Sequence, residues 1–398
     1  MKKYTSTKLA CYVGYVVQAI INNFLPILFI VLNRNYSINY EMLGRIILVN
    51  FGVQFLTDAL TPKIVALLGY RKCMVVSQWG AAAGLCLLAV LPQIMSNVYL
   101  AINISVVIYA VGSGLLEVLV SPLIENLPTD NKQANMSFLH SFYCWGQVFT
   151  VIVTTLMVKV FGFANWQFIP LVWAIIPFFN GFSFIKVPIV EPISGDKSEP
   201  IKNLIKNKTF IGIMIMMFCA GASEIAMAEW ASMFAQEGLG VSKVIGDLAG
   251  PCAFAVFMGT GRITHAAIAE KIPFKTVLIT MSIACIICYI ITGGSASPVI
   301  SLISCAVCGF TVSSFWPGLY SQASSSFPLG GTAMFSVFAL CGDLGCSVGP
   351  WLLGVIAHAT NLATGFLCCT VFPAVMMITA LCVLPSQKGN CKSDNNMV

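Results

Sequence analysis

The chain is poor in charge. Lys, Arg, Asp and Glu make up 9% of its 398 residues, where soluble domains carry about 25%. With 58% of residues hydrophobic, this excludes a soluble globular protein: most of the surface has to meet lipid. Period-two strand patterning is missing, which excludes an outer-membrane barrel. No G-x-x-x-x-G-K-[ST] loop occurs, so ATP is not hydrolysed by that route. HExxH and paired Cys/His clusters are absent too, so neither a metal nor an organic cofactor is expected, and energy would have to come from an ion gradient. No cleavable signal peptide is recognised, and the short basic start reads as an uncleaved anchor. The loops are short and leave little room for a soluble partner.

Apolar runs of about 20 residues, the length that crosses a bilayer, are what the chain has in plenty. Twelve fall at roughly 10–32, 44–68, 73–92, 98–122, 136–160, 166–186, 209–235, 245–267, 274–292, 298–320, 332–357 and 363–384. They predict an all-α membrane protein of twelve helices. With the N-terminus inside, 17 of the 21 Lys and Arg fall on the cytoplasmic side, leaving Arg34, Arg45, Lys159 and Lys243 outside. That bias puts both termini in the cytoplasm. The net charge of +6 is therefore topological. Spread over many loops without an aromatic stacking surface, it does not point to nucleic acid.

The 16 cysteines lie mostly in spans and read as small packing residues. Cys305 and Cys308 form a C-x-x-C inside an apolar run, read as an unpartnered motif and not as zinc ligands.

The longest polar stretch, residues 188–208 with Pro188, Pro192, Gly195 and Pro200, reads as a cytoplasmic linker. It divides the chain into six-helix halves, 1–187 and 209–398, the second ending in a short cytoplasmic tail. A faint repeat relates them: FGVQFLTDALTPKIVALLGYRK (51–72) and FAVFMGTGRITHAAIAEKIPFK (254–275) are each a second span running into a basic turn. Pro26, Pro122, Pro170, Pro177, Pro251, Pro317 and Pro350 are expected to interrupt spans, as tolerated where freed backbone groups line a cavity. Two halves rocking about that cavity is the expected motion.

Several motifs resemble those of one family. The Gly69–Lys72 turn is similar to the basic turn between the second and third helices of the major facilitator superfamily, with Ala66 where that pattern has Asp. The fourth span resembles the G-x-G-x-x-E-x-x-x-N-P pattern of the fucose-permease-like sugar–proton symporters, through Gly112, Gly114, Glu117 and Pro122, with Ser121 in place of Asn. LHSFYCWGQ looks like their H-x-F-Y-x-x-G through His140, Phe142, Tyr143 and Gly146. SEIAMAEW keeps the Glu224–Trp230 spacing, and GDLGCSVGPWLLG is similar to their G-x-x-x-G-P-x-x-x-G through Gly345, Gly349, Pro350 and Gly354. The resemblance implies the major facilitator fold, sugar–proton symport, and Glu117 as the protonation site. The family's first-helix Asp is missing; that span offers Gln18, Asn22 and Asn23.

Ionisable residues inside spans are the candidates for chemistry, because each costs about 2.5–3.5 kcal/mol at a helix centre. Asp58, Glu117, Glu224, Glu229 and Asp343 qualify, with Arg262 nearer the inner surface. Ser113 and Ser121 lie four residues to either side of Glu117, making a polar helical face. Glu117 is the expected proton-coupling residue; a static hydrogen-bonded carboxylate is the bland alternative. Glu224 is read as facing the cavity and Glu229 as meeting a neighbouring helix or the outer vestibule. Asp343, among glycines, is a packing hydrogen bond or a pathway residue. Asp58, Asp343 and Arg262 are grouped as gating or packing residues, Arg262 either snorkelling or pairing with a carboxylate. Asn22, Asn23, His140, Gln147 and Trp316 supply the amide, imidazole and aromatic groups that a sugar needs.

The expectation is a monomeric plasma-membrane transporter moving a small polar solute, a sugar above all, with a proton by alternating access. A drug or metabolite exporter of the same fold and a non-transporting receptor are the alternatives.

Overall fold

In the computed structural model, which describes residues 4–125, 127, 132–189, 201–268, 272–327 and 329–384, the regular elements are all helical. Among the described residues, twelve helices are long and apolar enough to cross a membrane. We number them span 1 (Thr5–Ile27), 2 (Tyr40–Thr61), 3 (Tyr70–Ile94), 4 (Val98–Ser121), 5 (Ser141–Phe161), 6 (Phe168–Lys186), 7 (Lys208–Gly238), 8 (Lys243–His265), 9 (Phe274–Gly294), 10 (Pro298–Ala323), 11 (Met334–Ala359) and 12 (Leu362–Val383). The end of the bundle carrying Thr5 is the near end; the end carrying Asn39 is the far end. Of the expected linker, residues 190–200 lie outside the described residues, and Ile201–Leu204 forms one helical turn. The expected tail lies outside them too.

Asparagines start three of the spans. The side chains of Asn39, Asn207 and Asn361 accept from the backbone N–H groups of Met42, Thr209 and Thr364 at 2.8–2.9 Å, satisfying donors that a helix start leaves open.

Spans 1 and 7 run through the middle of the bundle, with 83% and 78% of their apolar windows buried, against 33% for spans 9 and 12. The outer spans turn Ile287, Ile290, Ile378 and Leu381 outward. Span 2 packs along span 11 and span 5 against span 8, so these pairs join the first six spans to the last six.

Glycine sets the tightest approaches. In lipid, helices gain little from burying apolar surface against each other, and close backbone packing takes over. A Cβ at Gly345 of span 11 would strike the carbonyl of Phe218 on span 7, and one at Gly349 would strike the backbone of Ala222. The glycines of the span-11 motif are therefore packing residues. In span 4, Gly112 meets the backbone of Ser77 and Ala81 on span 3, while Gly114 meets Asp58, Thr57 and Gln54 of span 2. The second contact brings a polar face of span 2 against Glu117's helix.

Three of the expected prolines coincide with irregular backbone. Span 1 breaks at Leu28, just after Pro26, and continues as Phe29–Tyr36. Pro251 sits in a π-helical turn, Leu248–Cys252. Pro317 follows a break at Ser313–Ser314 in span 10. Pro177 and Pro350 do not interrupt anything: both sit in unbroken helices. Pro170 lies in the first turn of span 6, where its missing N–H would have no helical partner anyway. The side chain of Pro122 lies outside the described residues.

The two basic turns do matching work. Arg71 donates to the carbonyls of Phe184, Ile185 and Val187 at 2.8–2.9 Å, closing the C-terminal end of span 6. Lys275 donates to the carbonyls of Leu384 (2.5 Å) and Leu381 (3.2 Å) at the end of span 12. Cations at helix C-termini satisfy open carbonyls and oppose the dipole. In each six-span set, the basic residue after the second span caps the last span.

Overpacking at a backbone contact has nowhere to relax and costs upward of about 1–3 kcal/mol. Gly345→Val is expected to lower the melting temperature of the detergent-solubilised protein by several degrees. Gly52→Val, in a position with no neighbouring atom within 4 Å, should leave it unchanged. Equal melting temperatures for the two variants would refute the close-contact account.

Candidate functional site

Span 2 carries a polar stripe, Asn50, Gln54 and Asp58, at four-residue spacing. Such spacing keeps the side chains on one helical face, and Gly114 lets that face come close to span 4. Asn22 of span 1 accepts from Gln54 at 2.9 Å and from Asn50 at 3.3 Å. Ser113 of span 4 donates to the free oxygen of Gln54 at 3.2 Å. Two rungs join span 1 to span 4: Gln18 donates to Glu117, and the hydroxyls of Tyr15 and Ser121 meet at 2.7 Å. Spans 1, 2 and 4 thus share one amide-rich seam.

The seam ends in three carboxyl groups on three helices. Oxygens of Asp58 (span 2), Glu117 (span 4) and Asp343 (span 11) all lie within 4.8 Å of one another. Carboxylates this close repel unless a proton or a cation is shared between them. One oxygen of Asp58 and one of Asp343 find no protein partner. The cluster crosses from the first six spans to the last six, because Asp343 comes from span 11. It can share protons or hold a small cation. Tyr320 and Trp316 of span 10 flank it: Tyr320 lies in the electrostatic field of all three carboxyls, and the Trp316 ring covers Gly342, next to Asp343.

A second group surrounds span 7. Glu224 and Glu229 are both buried, each with one oxygen unpartnered in the protein. Glu229 lines a cavity of about 10 Å³ together with Asn22, Asn50 and Tyr109, room for about one water. Glu224 lies in the field of Arg262. No Arg262–carboxylate pair within 4.0 Å occurs among the described residues. Arg262 instead points a terminal nitrogen at the Cys144 sulfur of span 5, 3.1 Å away, and its Nε is unpaired. Tyr143 lies beside Asn22 and Asn23 and sits in the fields of Glu224 and Glu229. Asn23 also donates to its own helix at the Ala19 carbonyl, 2.9 Å away. Gln147, one turn beyond Tyr143, is buried. The side chain of His140 lies outside the described residues.

The far end is closed by an ion pair. Lys243, expected in a loop, begins span 8 with its side chain only 10% exposed, and Asp247 beside it is fully buried. Their atoms meet at 2.9 Å. Lys243 also donates to the carbonyl of Ile27 at 2.6 Å, the carbonyl left open by the break in span 1. Asp247 accepts from Thr155 of span 5 at 2.7 Å and from Ser232 of span 7. Two π-helical turns, Phe234–Gly238 and Leu248–Cys252, flank the pair. Just inside it, Cys252 packs with Ile27 and Val151.

Asn50, Gln54, Tyr320, Lys243 and Asp247 are absent from the sequence-derived candidates. The four-residue spacing of Asn50, Gln54 and Asp58, and of Lys243 and Asp247, was a usable signal. Tyr320 carried none.

Among curated proteins the chain is similar to membrane protein MosC of Rhizobium meliloti, with 23% identity over 352 residues, covering 83% of this chain and 79% of that one. Among solved structures it is similar to the xylose transporter XylE from E. coli in a partially occluded inward-open conformation, with 14% identity, 98% and 99% coverage and a TM-score of 0.78. It is also similar to the E. coli fucose:proton symporter FucP, with 15% identity, 96% and 100% coverage and a TM-score of 0.67. At such identities the structural likeness speaks for the fold alone. Residues 11–350 match the Major Facilitator Superfamily; the chain belongs to that superfamily of multi-pass membrane transporters and is not an enzyme.

Proposed function

We propose that the protein imports a small polar solute, a sugar above all, together with a proton, by alternating access. The observation that carries this reading is the amide and carboxyl seam shared by spans 1, 2, 4 and 11. Amides and carboxyls satisfy hydroxyl groups, and a site that hydrogen-bonds its solute rejects analogues lacking the groups it expects. Asn22, Asn23 and Gln147 on one side, with Glu224, Glu229 and Trp316 on the other, bring that chemistry to the boundary between the first six spans and the last six. A drug exporter would instead need a broad apolar and aromatic cavity.

Glu117 is the coupling group in this reading. A first-helix carboxylate is missing, but Gln18 occupies the helix facing Glu117. An amide offers both a donor and an acceptor, so Gln18 can serve the ionised and the protonated Glu117 by turning over. Asp58 and Asp343 supply the further carboxyls from spans 2 and 11. Release of the contact between Asp58 and Asp343 when the two six-helix halves separate couples the proton to the conformational change. Both termini face the cytoplasm of a plasma-membrane monomer, so the near end is the inner one and the Lys243–Asp247 pair closes the outer one.

The test is a panel of labelled sugars offered to proteoliposomes, with and without an imposed pH gradient. A one-unit gradient supports about tenfold accumulation for one proton per solute. Gradient-driven uptake of at least one sugar is expected. Flux of no sugar, combined with gradient-driven efflux of a lipophilic dye, would replace the reading by export.

Glu117→Gln is expected to abolish accumulation against a gradient while sugar exchange across the vesicle continues. Undiminished accumulation would remove Glu117 from the coupling step.

The outer closure predicts its own result. Removing one partner of a buried pair costs about 3–5 kcal/mol, because the other charge stays buried. In Asp247→Ala, the rate at which an impermeant maleimide reaches Cys252 from outside should rise by more than about a hundredfold. The double variant Lys243→Met, Asp247→Leu should bring it back down. Equal labelling of all three proteins would show that the pair does not close that end.

A further inference from the structure

Glu229 belongs to span 7, in the last six spans, but faces the first six. The cavity of about 10 Å³ beside it is lined by Asn22 of span 1, Phe29 just past the break in that span, Ile46 and Asn50 of span 2, and Tyr109 of span 4. Glu229 and Asn50 are 2% and 5% exposed. Each leaves one oxygen, Oε2 and Oδ1, without a protein partner. The Asn50 amide cannot turn to offer its nitrogen instead, because that nitrogen donates to Asn22 at 3.3 Å. The cavity has room for about one water and none for a solute. One water can bridge the two oxygens.

No cation offsets a charge on Glu229. Among the described residues it takes part in no ion pair. Lys243 is committed to Asp247 and to the Ile27 carbonyl. The titratable groups that face Glu229 are Tyr109 of span 4, Tyr143 of span 5 and Cys346 of span 11, and none is cationic. A carboxylate sealed in with one water is an uncompensated buried charge, far costlier than the neutral acid. The cover comes from the first six spans and the acid from the last six. Parting of the halves at the far end therefore withdraws Glu229 from its lining and wets it.

We propose that Glu229 is a proton-binding site linked to the outer closure. It takes up one proton from outside when spans 1, 2 and 4 close over it, and returns that proton when they part. The inference rests on the alternating-access reading, but not on the choice of solute or on Glu117. The proton leaves by the side it entered, so none crosses the membrane here. The closed form holds one proton more than the open form. Above the ordinary range of a water-exposed glutamate, each unit of outside pH therefore shifts the balance toward the open form by about tenfold, until the closed form also loses its proton. Outside acid holds the outer end shut.

The test uses the full-length protein in intact cells and an impermeant maleimide, with labelling of Cys252 read by peptide mass spectrometry as outside pH is varied. Each rate is divided by that of Glu229→Gln, which stays neutral. The division cancels the ionisation of the Cys252 thiol and any effect of the Lys243–Asp247 pair, since both proteins share them. The ratio should rise by at least about tenfold between about pH 6 and pH 8. Glu229→Asp, which still titrates, should keep the rise. A ratio that does not change with pH overturns the proposal. Should Glu229→Gln not fold, Phe29→Ala serves as the second variant. It admits water beside Glu229 in the closed form, so the labelling rate should depend less steeply on pH than in the parent; an equally steep dependence overturns the proposal. Absence of Cys252 labelling in the parent at every pH would remove the outer opening, and with it the alternating-access reading itself.

Discussion

A carboxyl group in hydrocarbon has to find polar company, and that requirement organises the middle of this bundle. Glu117 cannot be satisfied within its own apolar helix. It takes an amide from span 1 and sits beside carboxyls from spans 2 and 11. Each of those helices must come close, and each does so where side chains are small or absent: Gly114 opens span 4 to span 2. Glycine packing and the polar seam are one arrangement seen from two sides. Backbones approach so that short polar side chains can meet, and the meeting makes the buried acids tolerable.

The middle and the far end of the bundle are held in different ways. Near the middle, amides and carboxyls meet through bonds that can be exchanged one at a time. At the far end a full ion pair is buried and tied to spans 1, 5 and 7 at once. A buried ion pair is poor evidence for stability, since an apolar pair would often serve as well. It does confer a defined geometry, because Lys243 matches a carbonyl that is open only where span 1 breaks.

Much of this was legible in the sequence. Twelve apolar runs and the basic turns were plain, because length and composition decide whether a segment can cross a membrane. Glu117 stood out for the same reason: one acid in an apolar helix is visible without coordinates. Its partners were not, since nothing in the first span says that Gln18, rather than Asn22, reaches it. The stripe on span 2 and the Lys243–Asp247 pair had readable spacing but lay among residues that looked like ordinary polar punctuation. Lys243 in particular counted as loop charge, because one residue at a span boundary can turn either way. The cysteines read as packing residues, and only the pairing of spans 9 and 10 shows that Cys285 and Cys308 meet. The prolines at 177 and 350 were over-read: a long membrane helix can keep its course through a missing N–H.

The caps made by Arg71 and Lys275 carry a consequence for how the chain is made. The carbonyls that Arg71 closes lie 113 to 116 residues downstream of it, and those of Lys275 lie 106 to 109 residues downstream. At synthesis rates of about 5–20 residues per second, each basic turn emerges from the ribosome several seconds before its partner exists. The first three spans of each set must therefore wait in the bilayer with an unfinished edge until the sixth arrives. That interval is when membrane insertases and chaperones have the most to hold.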